Sequence, residues 1–192
     1  MWPWEHLAIG YIAASLLVHV LWRRAPDAAT VIAIGLGSQF PDLVDKPLAW
    51  EFGVLPSGIS LAHSVFTIVT LSALVVALAW WRGYAPVGVG FAVAYALHPP
   101  MDAVHPVIYG QPVNFDVLLW PLVSTVNDSG TGFFENLTFF LSRTYDLAAS
   151  PEGQAYVAFE VALLGVAFLL WVYDGTPGLP RPRGRTTPLE DH

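Results

Sequence analysis

From Leu61 to Met101 the chain carries a single formally charged side chain, Arg82. A water-soluble domain does not sustain such a run, because about a quarter of an ordinary sequence is charged. The run suits two helices crossing a bilayer, each needing roughly 20 apolar residues and about 17 at the least. The rest of the chain repeats the pattern. Apolar spans run from about Leu7 to Trp22, Ala28 to Phe40, Leu61 to Trp81, Tyr84 to Met101 and Ala155 to Tyr173. The first reaches spanning length once Trp2 to Trp4 extend it. The second is too short alone and must tilt, break or run on through Leu43 and Val44. Trp2, Trp4, Trp22, Trp80, Trp81 and Trp171 sit at span edges, where amphipathic rings mark the lipid–water interface. Only 12% of the 192 residues are charged and 55% are hydrophobic.

The expected fold is therefore all-α: a polytopic membrane protein of about five transmembrane helices, the second one short. Residues 1–174 form one membrane-embedded helical domain, with a long external loop over about residues 105–154. Residues 175–192, rich in proline and arginine, form a disordered cytoplasmic tail. Basic residues stay in the cytoplasm. Arg23 and Arg24 follow the first span, Arg82 the third, and Arg181, Arg183 and Arg185 the fifth. Five crossings put all of these on one side, so the amino terminus is expected outside and the carboxyl terminus inside a plasma membrane. The loop then lies outside, with two glycosylation sequons, Asn127-Asp128-Ser129 and Asn136-Leu137-Thr138. Sequons arise readily by chance and add little. No basic residue precedes the first span, so no cleavable signal is expected.

Composition also excludes partners and chemistries. The chain has no cysteine, hence neither a disulfide framework nor a thiolate metal site. Net charge is −7 with one lysine, Lys46, which argues against nucleic acid. Membrane lipid and a lipid or small-molecule substrate are the expected partners.

The chemistry-bearing residues fall at the ends of the spans. His6 opens the first, Asp42 and Asp45 close the second, His63 opens the third, and His98 and Asp102 close the fourth. The topology, drawn from arginines and span boundaries alone, carries all six to the outer face. An ionisable group at membrane depth is costly and needs a partner or water. Imidazole with carboxylate suits zinc, or manganese and iron where more oxygen ligands join. His98 and Asp102, four apart, share a helix face, although a helix usually ends before a proline such as Pro99. Asp42 and Asp45 are three apart and repel unless a cation or proton lies between them.

Each residue has a plainer reading when taken singly. His6 reads as an interfacial histidine, Asp42 as a turn or cap residue, Asp45–Lys46 as a surface ion pair, and His63–Ser64 as a polar helix start. His98-x-x-x-Asp102 at the end of an apolar span resists such a reading. His19 reads as structural. His105 is either a further ligand or a loop residue, and Glu160 either reaches the site or pairs elsewhere.

The segments "HLAIG", "FPDLVDKP", "AHSVF" and "HPPMD", in that order, resemble the motifs of the YdjM-like family of membrane-bound metal-dependent hydrolases, itself distantly similar to zinc-dependent phospholipase C. The resemblance covers roughly the first 110 residues. It implies a metal site built from His6, Asp42, Asp45, His63, His98 and Asp102 and holding one or two divalent ions, most simply zinc. There are departures. "GISLA" stands where relatives often show His-Arg-Gly-x-Thr, so a second histidine and an arginine are missing, and the last motif holds a double proline.

The function expected is hydrolysis at the external membrane face. Water activated by the metal would attack a phosphoester, of a lipid first of all, or an amide. Asp45 or Asp102 would take the proton. The rival expectation is a non-catalytic metal-stabilised membrane scaffold or a transporter subunit. A scaffold would show a closed coordination set, and a transporter would show polar groups strung across the bilayer.

Overall fold

A computed structural model describes residues 1–123 and 132–180. The Asn127 sequon and the tail from residue 181 onward, with Arg181, Arg183 and Arg185, lie outside the described residues. Among those described, the chain is all-helical: α1 (Pro3–Trp22), α2 (Ala28–Trp50), α3 (Val65–Trp81), α4 (Ala85–Val104), α5 (Phe133–Ala148) and α6 (Pro151–Tyr173). Two short 3-10 turns, His105–Tyr109 and Phe115–Leu119, follow α4. Cap residues stand where helices start: Asp27 accepts from the Thr30 amide ahead of α2, and Ser150 accepts from the Gly153 amide ahead of α6, each satisfying one otherwise orphaned N–H group.

α4 is the central helix and packs against α1, α2 and α3, while α6 packs against α1 and α5. The contact between α2 and α4 depends on a missing side chain. A Cβ at Gly37 would stand 2.3 Å from the Phe91 carbonyl oxygen, so only glycine lets the two backbones approach this closely. Gly37→Ala is expected to cost about 1–3 kcal/mol through overpacking, seen as a lower thermal unfolding midpoint in detergent. An unchanged midpoint would mean that the two helices do not approach so closely. Tyr11, Ala14, Ile34 and Ala94 form the buried cluster at this junction.

The structure departs from the expected architecture at three points. First, α2 is not short. It runs on through Pro41 and Pro47 to Trp50, as α4 runs through Pro99 and Pro100 to Val104. An interior proline forfeits about 3 kcal/mol or more in a helix, and the packing of the buried Pro41 and Pro99 outweighs that loss here. Second, the stretch 105–154 is not simply a loop. It contains both 3-10 turns, α5 and the start of α6. Phe133 and Phe140 of α5 rest against Trp50 of α2, with ring centroids 6.3 Å apart in each pair. Phe134, Leu141 and Tyr145 stay exposed along another stripe of α5. The sequon at Asn136 falls inside α5 with its side chain buried, which removes it as an acceptor for a sugar. Third, among the described residues two helices rather than five are long and apolar enough to cross a membrane, Pro3–Trp22 and Gly153–Tyr173; Val65–Trp81 is a shorter apolar helix.

His19 takes the structural role expected of it. The buried Asp174 carboxylate, just beyond α6, accepts hydrogen bonds from the Tyr11 and Ser15 hydroxyls at 2.6 Å each, and its other oxygen lies 2.7 Å from His19 Nε2. A buried carboxylate must be paired in this way, and the network fastens the end of α6 to α1.

Candidate metal centre

The start of α1, the end of α2, the residues before α3 and the end of α4 meet at one end of the bundle. They bring Asp42, His63, His98 and Asp102 together, with one ligand-capable atom from each lying within 4.8 Å of all the others. His98 and Asp102 lie on an unbroken helix despite the intervening prolines, and His98 Nε2 is 3.1 Å from Asp102 Oδ2. His63 Nε2 is 3.4 Å from Asp102 Oδ2 and 3.6 Å from Asp42 Oδ1.

The hydrogen bonds behind these side chains fix which atoms face the centre. His63 Nδ1 lies 2.8 Å from Asp45 Oδ2, and His98 Nδ1 lies 2.6 Å from the Ser38 carbonyl oxygen. A carbonyl can only accept, so Nδ1 of His98 carries the proton and donates. A carboxylate imposes the same tautomer on a neutral His63. Both Nε2 atoms are thereby left turned inward, an arrangement shared with metal-ligating histidines that rest on a carboxylate or carbonyl. His63 Nε2, His98 Nε2 and Asp42 Oδ1 are buried with no hydrogen-bond partner among the described residues. Unsatisfied buried polar atoms cost about 1–3 kcal/mol each, and a cation among these three would satisfy them. The donor set of two imidazoles and two carboxylates fits a divalent metal.

The surroundings of His63 reinforce this. Its side chain has no exposed surface. Burial alone would lower its pKa, but the adjacent Asp102 and Asp45 carboxylates, with Asp42 behind them, outweigh burial and hold it above the ordinary histidine value. The cluster is thus short of positive charge, which a proton or a metal can supply.

Asp45 stands behind His63 rather than among the four converging residues. Fully buried, it accepts from the backbone N–H groups of Ser60 at 2.8 Å, Ala62 at 2.9 Å and His63 at 3.2 Å, in addition to the imidazole contact. One carboxylate therefore folds the irregular segment between α2 and α3 and aims His63. The expected Asp45–Lys46 surface pair does not form, because Lys46 reaches Asp42 Oδ2 instead, at 2.5 Å. His6 also sits at the edge of the cluster. Its ring stacks on His98 at 3.6 Å between centroids, and its Nε2 lies 3.1 Å from Asp102 Oδ1, an oxygen that the Met1 amine also contacts.

The two undecided residues are not among the four that converge. His105 packs edge-on against Tyr156, and burial, together with the nearby positive amino terminus, pushes its pKa down to about 3. Glu160 accepts from the Trp4 indole at 3.0 Å. Sequence reasoning did not find the Ser38 carbonyl, since a backbone acceptor carries no residue signature. Nor did it find Tyr95, whose hydroxyl donates to the Ala62 carbonyl at 2.7 Å and ties the His63 segment to α4. A tyrosine inside an apolar helix was the available signal.

Only the carboxylates of the cluster keep any exposure, and Asp42 retains 10% of its side-chain surface. Asp102 retains 14% of its side-chain surface, while His63 and His98 retain none. It lines a cavity of about 240 Å³ together with Gln111, Asn114 and Ile59.

No curated protein and no solved structure gives a match to this chain. The family model described as YdjM inner membrane protein matches residues 1–177, which takes in all four helix ends of the cluster and both apolar helices of spanning length. The chain belongs to the YdjM inner membrane protein family.

Proposed function

We propose that this protein is a membrane-embedded, metal-dependent hydrolase whose cation is held by Asp42, His63, His98 and Asp102. The observation that carries the reading is the convergence of three buried ligand atoms without hydrogen bonds beside Asp102, a carboxylate that lines a cavity. Zinc suits the donor set, as one ion or two, and manganese or iron would serve if more oxygen ligands joined. When bound, such an ion supplies Lewis acidity and lowers the pKa of water to about 7.

The chain's own residues divide the remaining work. Asp45 and the Ser38 carbonyl hold the two imidazoles in the tautomer that presents Nε2. His6 steadies Asp102 through Oδ1. Asp102 is the carboxylate placed to accept the proton of an attacking water, since it lines the cavity while Asp45 is fully buried among four N–H groups. Gln111 and Asn114 line the cavity above it, and their carboxamides can donate to a phosphoryl or an acyl oxygen. A lipid phosphoester is the first substrate class and an amide the second.

In this reading α1 and α6, the two apolar helices of spanning length, cross the plasma membrane, with the amino terminus and the cluster at the external face and the tail in the cytoplasm. Charge supports it: Arg23, Arg24 and Arg82 follow α1 and α3, at the end of the bundle away from the cluster. A reporter fused after residue 185 should read cytoplasmic.

The test of function is an assay of purified protein against phosphatidylcholine and other lipid phosphoesters, and against lipid amides, with zinc or manganese added. Metal-dependent release of product that Asp102→Ala abolishes is the expected result. Tight metal binding with no turnover of any of these would favour the closed, non-catalytic scaffold instead.

A further inference from the structure

A second and larger cavity, of about 510 Å³, lies next to the cluster. Its walls are apolar, formed by Ile9 of α1, Val104 of α4, Val107 and Ile108 of the following 3-10 turn, and Phe159 of α6. Its polar side chains are His105 and Tyr156. Tyr156 is committed: its hydroxyl donates to the buried Glu5 and lies 3.4 Å from His105 Nε2. His105 is held neutral. A cavity of this size falls in the usual range of ligand sites, about 300–1,000 Å³, and it offers a ligand almost nothing but apolar surface.

Two features of its position identify the occupant. The cavity shares a wall with the one over Asp102: Met101 lines the larger and Asp102 the smaller, and His105 lines the larger and Pro106 the smaller. On its other side the boundary is α6, the apolar helix of spanning length, of whose most hydropathic window only 6% is buried. One end therefore adjoins the polar cluster and the other adjoins a helix that presents itself to lipid.

We propose that this cavity takes the alkyl chain of an amphiphilic substrate, entering past α6, whose polar end is presented to the Asp102 cavity. The inference rests on the hydrolase reading for its polar end only. Burial of methylenes, at about 0.8 kcal/mol each, supplies binding energy away from the reacting bond, and that energy positions the polar end. A water-soluble substrate has no use for such a wall.

The test uses full-length protein in phosphatidylcholine nanodiscs with a long-chain fatty alcohol bearing a mid-chain diazirine. After irradiation, labelled residues are mapped by mass spectrometry, and metal content is measured on the same samples. Label is expected on Val104, Ile108 and Phe159. Ile108→Trp, which fills the cavity, should reduce that label roughly tenfold and leave metal content unchanged. Val69→Trp, on the exposed face of α3, should change neither. Label spread over Val69, Leu74 and the exposed side of α6, and indifferent to Ile108→Trp, would show a lipid annulus only and overturn the proposal. The two readings fail separately: loss of chain capture with metal retained removes the cavity's role, and chain capture in a protein that binds no metal removes the hydrolase.

Discussion

His63→Ala is expected to empty the metal centre. His63 contributes an inward-facing Nε2 with no other partner, at the point where elements far apart in sequence meet. Losing a partner that merely orients a metal ligand typically costs 10–100-fold in metal affinity, and removing the ligand itself should exceed roughly 100-fold. The measurement is metal per chain by elemental analysis of protein purified with zinc, backed by competition with a fluorescent chelator. Deleting the imidazole also relieves an unsatisfied buried nitrogen, so the metal-free fold should survive, with its helical circular dichroism intact. Retention of a full complement of metal in this variant would refute the cluster as a cation site, and the hydrolase would fall with it.

Asp45→Asn should have the second largest effect, of a different kind. The wild-type carboxylate accepts from three backbone N–H groups and from the His63 ring. An amide of the same shape keeps one acceptor oxygen and turns an NH₂ group towards donors. Breaking a buried, charge-assisted network in this way costs about 3–5 kcal/mol, which should appear as a large drop in the unfolding midpoint. His63 would also lose the acceptor that fixes its tautomer, so metal affinity should fall by about 10–100-fold. A residue that served only as a ligand would lower metal affinity and leave the metal-free midpoint alone. Comparing the midpoints of Asp45→Asn and Asp42→Asn with metal removed separates the two roles, because Asp42 keeps one oxygen without a hydrogen bond while both oxygens of Asp45 accept them.

Much of this arrangement was legible in the sequence, for a definite reason. Apolar spans alternate direction in a bundle, so the start of the first, the end of the second, the start of the third and the end of the fourth must share a face. That places His6, Asp42, Asp45, His63, His98 and Asp102 together without knowledge of a single contact. What it cannot do is rank them. Asp42 and Asp45 are three residues apart on one helix, yet one turns an oxygen into the cluster and the other supports the histidine from behind. The difference is set by the segment between α2 and α3, whose backbone amides wrap around Asp45 and whose path no periodicity announces. The proline signals misled because local propensity is weak against burial: α2 and α4 carry their prolines into packed positions and continue. α5 was missed because its aromatic residues stand among polar ones, and an amphipathic helix lacks the long apolar run that marks a span.

The sequence by itself determined that this chain folds as helices in an apolar setting and that its imidazoles and carboxylates collect at one end, because hydrophobic run length and helix direction are properties of order along the chain. Only the tertiary structure decided which of those side chains face one another, which one stays open to a cavity, and that an apolar chamber lies beside it. Those outcomes depend on hydrogen bonds to backbone groups and on the space left between helices, and neither is written in residue type.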